Sequence, residues 1–427
     1  FFKQKTAYEI TYGDWSSDVC SSDLPAESYA LYLPAQFKET ESVPIIIFLD
    51  PHGDGGYPVS KYMSLADEFG FILVGSNNSR NDQTLEEGNR ITANLISEIN
   101  SRFRIGTGLI ALAGFSGGAR VALTAAMNHR ELNAVIYGGA GIPSEQIQTL
   151  PPALGIAGKH DMNYTEVIDL DNELQKKDSN NCVVEWNGKH EWSTSSIFRD
   201  AFHWCVFNAM RKNYVAQNPY VVQRFISDNL KSFSNPIYEA LRLRKIISFT
   251  KGIADISSLE KKRADLIQSA GYKKAVSERK KSFDIESRMK TNYVACLVSK
   301  DVRWWQGEIS RMKKLKESTE RDMYERLLGY ISLACFSYSN FDLQQGKLDA
   351  ALQILTIYKL ADPENPDRAF LEACLFAKQN NDENALSLLN EAIQLGWKDK
   401  LRIEAEQSFG RIRNTNEFRN LVNKIPS

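Results

Sequence analysis

Short apolar runs alternate with helical patterns over the first half of the chain, from residue 25 to about residue 213. Several runs are apolar at every position, as expected for strands buried on both faces of a parallel sheet. The predicted strands are 29–33, 43–49, 71–75, 109–113, 134–137, 153–157 and 182–186. The predicted helices are 59–68, 85–102, 117–129, 165–177 and 195–211. This alternation predicts an α/β domain with a doubly wound, mostly parallel sheet.

The strand pattern ends after residue 213, and helical patterns continue to the end of the chain. Residues 214–330 are interpreted as a helical linker or cap region. Its long amphipathic patterns, over 256–282 and 302–328, predict long helices. The remaining residues, 331–427, are interpreted as an all-α domain of helical repeats.

The evidence for repeats is a recurring segment. Residues 351–355, Ala-Leu-Gln-Ile-Leu, recur 34 residues later as Ala-Leu-Ser-Leu-Leu at 385–389. This is the period of the tetratricopeptide family, which the first copy also resembles in a turn glycine, Gly346, and a closing proline, Pro363. The second copy has Trp397 in place of that proline. Because about three repeats normally make a stable stack, a generic helical bundle stays the alternative.

Residues 1–24 show neither strand alternation nor helical periodicity, and they contain no apolar core of a signal peptide. The stretch resembles translated sequencing-adapter read-through. We therefore interpret it as a non-native leader. The compartment stays open on this evidence, with periplasmic export and a lipid anchor among the alternatives.

The composition narrows the possible partners. A chain of 427 residues predicts two or three domains, and 43% hydrophobic with 25% charged residues is typical of a soluble globular protein. The net charge of -1 gives no indication of nucleic acid as a partner. No apolar run is long enough to span a membrane. The cysteines lack metal-ligand spacing, and Walker, H-E-x-x-H and EF-hand motifs are absent, so we expect no metal and no cofactor.

A serine turn follows the fourth predicted strand directly and opens the third predicted helix. Its sequence is Gly114-Phe115-Ser116-Gly117-Gly118. A G-x-S-x-G pattern between strand and helix resembles the nucleophile elbow of the α/β-hydrolase family, in which the serine hydroxyl projects from the carboxyl edge of the sheet. The alternative is an ordinary glycine-rich turn. The strand–turn–helix context favours Ser116 as a nucleophile.

Elimination among the five histidines gives the general base. In this family the order along the chain is serine, acid, histidine. His52 and His129 lie too early for that order, and His160 is next to the acid candidate. His203 lies in an apolar helical pattern, which indicates a core or helix-surface histidine. His190 remains, in a loop between the last predicted strand and the last predicted helix of this half.

The acid candidate is Asp161, which follows the strand 153–157. A carboxylate at the carboxyl end of a strand can accept a hydrogen bond from an imidazole and stabilise the imidazolium. Glu145, after the preceding strand, is the runner-up. Asp169 and Asp171 lie in a helical pattern, and we expect them to face solvent.

Two backbone amides are expected to bind the oxyanion. The first is the Gly117 N–H, directly after the nucleophile. The second lies in the loop 50–56, where a His-Gly sequence resembles the oxyanion loop of esterases and lipases. The expected donor is the N–H of Gly53 or Asp54, and a tight glycine-rich turn is the alternative reading of this loop.

These motifs together resemble small lidless α/β-hydrolases, such as dienelactone hydrolase-like, polyhydroxybutyrate-depolymerase-like and feruloyl esterases. The resemblance covers residues 29–211. It includes a Gly-x-His-x-Trp loop, matched at Gly188, His190 and Trp192. It implies hydrolysis of carboxylic esters through an acyl-enzyme. The chain departs from the pattern at Asp50, where many esterases have an apolar residue before the oxyanion loop.

The expected substrate is a small or exposed ester, because the segment 140–151 is too short for a helical lid. Arg120 is expected to form a salt bridge within the scaffold rather than to bind a substrate carboxylate. Two other functions stay open. One is a peptidase of the same fold, and the other is a non-catalytic scaffold whose helical repeats bind a protein. A protein partner of the repeats is compatible with all three.

Overall fold

The computed structural model describes residues 13–14, 27–106, 108–178, 180–314 and 320–425. The chain divides into two compact units, which meet in sequence at Arg279 and Lys280. Each unit has its own core of buried apolar side chains. Among the helices of the described residues, none is both long enough and apolar enough to cross a bilayer.

The first unit contains one eight-stranded sheet. Its strands are β1 Gly13–Asp14, β2 Ser28–Tyr32, β3 Ile45–Leu49, β4 Ile72–Ser76, β5 Ile110–Phe115, β6 Leu132–Gly138, β7 Ala153–Gly158 and β8 Cys182–Trp186. The strand order is β1-β2-β4-β3-β5-β6-β7-β8, and all pairs from β4 to β8 are parallel. The strand β2 is antiparallel to β4, and the short strand β1, within the predicted leader, is antiparallel to β2. The other residues of that leader, 1–12 and 15–24, lie outside the described residues.

Helices alternate with the strands as the sequence predicts. They are α1 Gly56–Phe69, α2 Leu85–Arg102, α3 Gly117–Asn128, α4 Tyr164–Lys177 and α5 Ser195–Arg211, followed by α6 Pro219–Asp228, α7 Pro236–Thr250 and α8 Ser257–Gln268. Each predicted strand and helix between residues 25 and 213 has a counterpart, shifted by at most a few residues at its ends. The predicted fold class, an α/β domain with a doubly wound and mostly parallel sheet, is confirmed.

The order in which the chain adds strands to the sheet reverses between β3 and β5. From β3 the chain passes through α1 to β4 on one side, and it then returns through α2 to β5 on the other side. In such open sheets, ligands bind outside the carboxyl ends of the strands at this switch point. The loop 50–56, which is predicted to bind an oxyanion, follows β3, and the serine turn follows β5. The topology therefore places the two predicted halves of the site side by side.

The first unit continues past residue 213, where the sequence places a domain boundary. Side chains of α6 and α7, among them Phe225 and Phe249, belong to the same core as the sheet. Phe249 packs against Trp204 of α5 with 4.9 Å between ring centroids. The boundary predicted at 213 thus falls inside a compact unit that extends to Arg279.

Asp171 is the one acidic residue of α4 whose environment the sequence analysis gives wrongly. It is 1% exposed, and its Oδ2 lies 2.6 Å from an Nη of Arg244 on α7. Burial is the largest influence on its carboxyl and raises the pKa, while the guanidinium opposes that shift. The helical pattern of α4 alone does not show that α7 covers this face. Asp169, two residues earlier, is exposed as expected.

The second unit is all-α. It contains the end of α9 Ala270–Ser299, then α10 Val302–Lys314, α11 Arg321–Gln344, α12 Leu348–Ala361, α13 Pro366–Lys378, α14 Asp382–Gln394, α15 Lys400–Ala405 and α16 Asn416–Val422. The long helix expected over 256–282 is divided between α8 and α9, whereas 302–328 contains α10 and the start of α11, with residues 315–319 outside the described residues. In the first case the break is Ser269, whose backbone is extended between α8 and α9.

A helix–turn–helix unit repeats in this second half at the interval seen in the sequence. The turns between α11 and α12 and between α13 and α14 contain left-handed residues 34 positions apart, Gly346 with φ +70° and Asn380 with φ +59°. The residue after each of them donates a backbone hydrogen bond of 2.9 Å to the residue five positions before it. Ala351 and Ala385 are both fully buried. The recurring sequence segment thus corresponds to a recurring local structure.

Candidate active site

The backbone of Ser116 is strained. Its φ of +52° and ψ of -123° lie outside the regions that residues with side chains ordinarily adopt. The other two non-glycine residues with positive φ among the described residues are asparagines, which tolerate that region well. The Ser116 N–H donates to the carbonyl of Gly138 on β6 at 2.8 Å, which holds the turn in place. Such strain is typical of a functional site.

Two glycines let β5 and α3 approach closely enough to form this turn. A Cβ at Gly114 would lie 2.1 Å from the Gly118 carbonyl oxygen, and a Cβ at Gly118 would lie 1.9 Å from the carbonyl oxygen of Leu49 on β3. A side chain at either position would push the strand and the helix apart. The glycines of the G-x-S-x-G pattern therefore have a steric reason here.

The three side chains predicted as a triad lie in one hydrogen-bonded chain. The Nε2 of His190 lies 2.9 Å from the Ser116 Oγ, and the Nδ1 of His190 lies 2.9 Å from an Oδ1 of Asp161. The carboxyl side chain of Asp161 is 3% exposed and the imidazole 24% exposed. A carboxylate that accepts the Nδ1–H leaves the Nε2 lone pair facing the hydroxyl. The arrangement can therefore take the proton from Ser116.

The ends of β7 and β8 bring the acid and the base together. Beyond the two strands, the His160 N–H donates to the Gly188 carbonyl at 2.9 Å, and the Lys159 N–H donates to Trp186 at the same distance. The Asp161 carboxylate also accepts the backbone N–H of Asn163 at 2.8 Å, which fixes its orientation. The two loops thus form one continuous support for the imidazole.

The predicted oxyanion amides differ in their availability. Gly117 is the first residue of α3, and the first N–H groups of a helix have no partner within it. The Gly53 N–H donates to the Asp50 carbonyl at 3.2 Å and is therefore used inside its own loop. The Asp54 N–H has no acceptor among the described residues. Of the two alternatives in this loop, Asp54 is the better placed to donate.

Asn81 was missed by the sequence analysis. Its backbone N–H donates to the Pro51 carbonyl at 2.9 Å, which attaches the loop after β4 to the loop 50–56. Its side-chain oxygen lies so close to Gly117 that a Cβ there would be 1.7 Å from it. An exposed carboxamide therefore lies directly against the start of α3. No local sequence signal marks it, because the contact joins two loops distant in the chain.

Arg120, Glu145 and His203, the other residues considered from the sequence, lie outside the hydrogen-bonded chain of the predicted triad. Arg120 forms the expected salt bridge, with its Nη2 3.0 Å from a carboxylate oxygen of Glu166. Glu145, the runner-up acid, is exposed in a short 3₁₀ helix, Ser144–Gln146. The His190 imidazole is hydrogen-bonded to Asp161 instead. His203 packs among phenylalanine rings, and burial lowers its pKa to about 4.

The site is open. The segment 140–151, where a lid would be inserted, contains only the short 3₁₀ helix. Behind the triad, a cavity of about 10 Å³ is lined by residues that include Phe115, Asp161 and Trp192. A cavity of that size holds about one water molecule, so it is not a substrate pocket.

No protein-family model matches the chain, and no curated protein matches it in sequence. Solved structures do match. An esterase from Pyrobaculum calidifontis aligns with a TM-score of 0.35 at 15% identity, over 43% of this chain and 80% of that one. An S-formylglutathione hydrolase from Staphylococcus aureus aligns with a TM-score of 0.37 at 12% identity, over 46% of this chain and 97% of that one. Thermogutta terrifontis esterase 2, phosphorylated by paraoxon, aligns with a TM-score of 0.37 at 13% identity, over 49% of this chain and 98% of that one.

Proposed function

We propose that the first unit is a serine hydrolase that cleaves carboxylic esters through an acyl-enzyme. One observation carries this proposal, namely the hydrogen-bonded chain from Ser116 through His190 to Asp161 at a strained strand-to-helix turn. A backbone strained at one serine and a buried carboxylate behind one imidazole both cost free energy. A scaffold that does no chemistry has no use for either.

The reaction follows from the positions of the atoms. The Ser116 Oγ attacks the ester carbonyl carbon while His190 Nε2 takes the hydroxyl proton. The oxyanion that forms accepts hydrogen bonds from the N–H groups of Gly117 and Asp54. His190 then returns the proton to the alkoxy oxygen as the ester C–O bond breaks and the alcohol leaves. Asp161 accepts the hydrogen bond from the His190 Nδ1–H throughout and stabilises the imidazolium.

Water completes the cycle. His190 removes a proton from a water molecule as its oxygen attacks the acyl carbon, and the proton passes to Ser116 as the acyl–oxygen bond breaks. The products are a carboxylic acid, an alcohol and the free enzyme. Because the segment 140–151 contains only the short 3₁₀ helix Ser144–Gln146, we propose a small or exposed ester as substrate.

Turnover of p-nitrophenyl esters by the full chain tests this function. We expect hydrolysis by the wild type and a loss of about 10⁴-fold or more in kcat for Ser116→Ala. The matched control is Ser195→Ala, which changes a serine at the start of α5 that is not part of the triad. Retention of wild-type turnover by Ser116→Ala would contradict the proposal.

The same assay separates ester from peptide hydrolysis. Aminoacyl anilides have a poorer leaving group, and a peptidase of this fold would turn them over at rates comparable to esters. We expect ester turnover to dominate. Turnover of the anilides at rates comparable to those of the esters, or faster, would favour the peptidase.

For the second unit we propose a tetratricopeptide-type stack that binds a protein partner. The supporting observation is the helix–turn–helix unit that recurs after 34 residues, with the same left-handed turn position and the same backbone hydrogen bonds.

A further inference from the structure

The carboxylate of Asp50 is buried at the carboxyl end of β3, directly before the oxyanion loop. The residue is 3% exposed. Burial is the largest influence on its carboxyl and raises the pKa, while hydrogen bonds from Trp192 and from the His52 backbone oppose that shift. An apolar residue would fill the same volume without the cost of desolvating a carboxylate. The position therefore needs an explanation other than packing.

Each carboxylate oxygen of Asp50 accepts a hydrogen bond from a different loop. Its Oδ1 accepts the backbone N–H of His52 at 2.9 Å, inside the oxyanion loop. Its Oδ2 accepts the indole Nε1–H of Trp192 at 2.8 Å. Trp192 lies 142 residues further along the chain and two residues after His190. One buried carboxylate thus joins the loop that supplies an oxyanion amide to the loop that supplies the base.

The indole transmits this connection to the imidazole through an aromatic contact. Trp192 is 6% exposed, and its ring centroid lies 5.6 Å from that of Phe115. The Phe115 ring lies 4.8 Å from the His190 ring. Phe115 directly precedes Ser116 in the turn. The orientation of the indole therefore bears on both the nucleophile turn and the base.

We propose that Asp50 is a positioning residue of the hydrolase. Its two hydrogen bonds hold the oxyanion loop and the base loop at one fixed separation, so that the oxyanion amide and the His190 Nε2 face the same carbonyl group. The role rests on the proposed function. It explains why a carboxylate occupies a position where esterases of this kind often have an apolar residue.

The matched variants are Asp50→Asn and Trp192→Phe. The first replaces a carboxylate that accepts two hydrogen bonds by an amide with a single acceptor oxygen. The second keeps an aromatic ring and removes the indole N–H. We expect each to lower kcat about 10- to 100-fold with KM changed by no more than about twofold, because alignment in the transition state is lost rather than substrate binding.

The double variant tests whether the two residues act through one bond. Because each single change leaves the connection between the two loops with at most one of its two hydrogen bonds, we expect the pair to be non-additive, with the double variant about as active as the less active single variant. Fluorophosphonate labelling of Ser116 is expected to slow in parallel. If the losses in kcat multiply, or if both single variants keep wild-type kcat, the proposal is wrong.

A control separates positioning from general support of the base loop. The Tyr62 hydroxyl donates to the Ser193 carbonyl at 2.7 Å, so Tyr62→Phe removes a bond from the same loop without touching Asp50. We expect its kcat to stay within about twofold of wild type. An equal loss in Tyr62→Phe would contradict a specific role for Asp50. Wild-type turnover by Ser116→Ala would instead overturn the proposed function, and this inference with it.

Discussion

Two glycines just after Ser116 lie where a side chain would clash, and in both cases the clash would be with a residue distant in sequence. Gly118 is small because a Cβ would meet the carbonyl of Leu49, on another strand. Gly117 is small because Asn81 lies against it. The first contact follows from the general shape of a nucleophile elbow. The second involves the side chain of a loop residue that follows β4.

Gly117→Ala tests the contact with Asn81. We expect the variant to fold with a free energy of unfolding within about 1 kcal/mol of wild type, because alanine favours helices and the obstructing atom ends an exposed side chain. We expect kcat to fall about tenfold, since the start of α3, with the Gly117 N–H, has to shift. Adding Asn81→Ala is expected to return kcat most of the way to the wild-type value. If the double variant is no more active than Gly117→Ala, the clash is not the cause.

That Ser116, Asp161 and His190 lie together could be predicted, because chain order and strand ends limit the choice. Ser116, Asp161 and His190 each follow a strand directly or within a few residues, and few histidines compete. Asp50 could be recognised as unusual but not explained, since its partner Trp192 lies 142 residues away. Asn81 carried no signal. Contacts between loops depend on tertiary packing, which no local pattern encodes.

Elements of the first unit could be predicted almost completely, because continuous apolar runs mark buried parallel strands well. The helices after residue 213 are harder to predict from the sequence. Amphipathic periodicity continues across the break at Ser269, so one helix was expected where α8 and α9 meet. The pattern of α4 likewise gave no sign that α7 covers Asp171. Period and polarity define a face, but they do not identify the element that covers it.

Gly346→Ala tests the turn that repeats in the second unit. Gly346 has φ +70°, and a Cβ added there would meet no heavy atom within 4 Å. The effect is therefore one of backbone strain alone, and we expect the free energy of unfolding to fall by about 1–2 kcal/mol. Chemical denaturation followed by circular dichroism measures it.

The matched control for that turn is Asn380→Gly, at the equivalent position with φ +59°. Because glycine adopts this region without strain, we expect the variant to be about as stable as wild type, within about 0.5 kcal/mol. A Gly346→Ala protein as stable as wild type would show that the turn is not held in the left-handed conformation.

At the scale of the whole chain, two compact units have separate cores, and the first unit is longer than its strand pattern. The strands end with β8, and α6 and α7 complete the core by covering side chains of α5 such as Trp204. A boundary placed where the strand pattern stops divides this core. Hydrophobic periodicity shows where a kind of element ends, whereas a domain ends where its buried surface is covered.

Truncation after residue 213 or after residue 279 tests this boundary. The shorter chain loses Arg244 and leaves the buried carboxylate of Asp171 without its cation, a change that typically costs about 3–5 kcal/mol. It also exposes the rings that pack on Phe225 and Phe249. We expect the shorter chain to aggregate and the chain ending at 279 to fold and hydrolyse esters. Equal solubility and activity of both chains would place the boundary at 213 after all.

We propose that Ser116 is a nucleophile that His190 activates. The most direct measurement is mass spectrometry of the full chain after reaction with a fluorophosphonate. We expect a single adduct, located on Ser116, no adduct in Ser116→Ala, and labelling slowed by about 10³-fold or more in His190→Ala. An adduct on Ser116→Ala equal to that on wild type, or none on the wild type, would contradict the account.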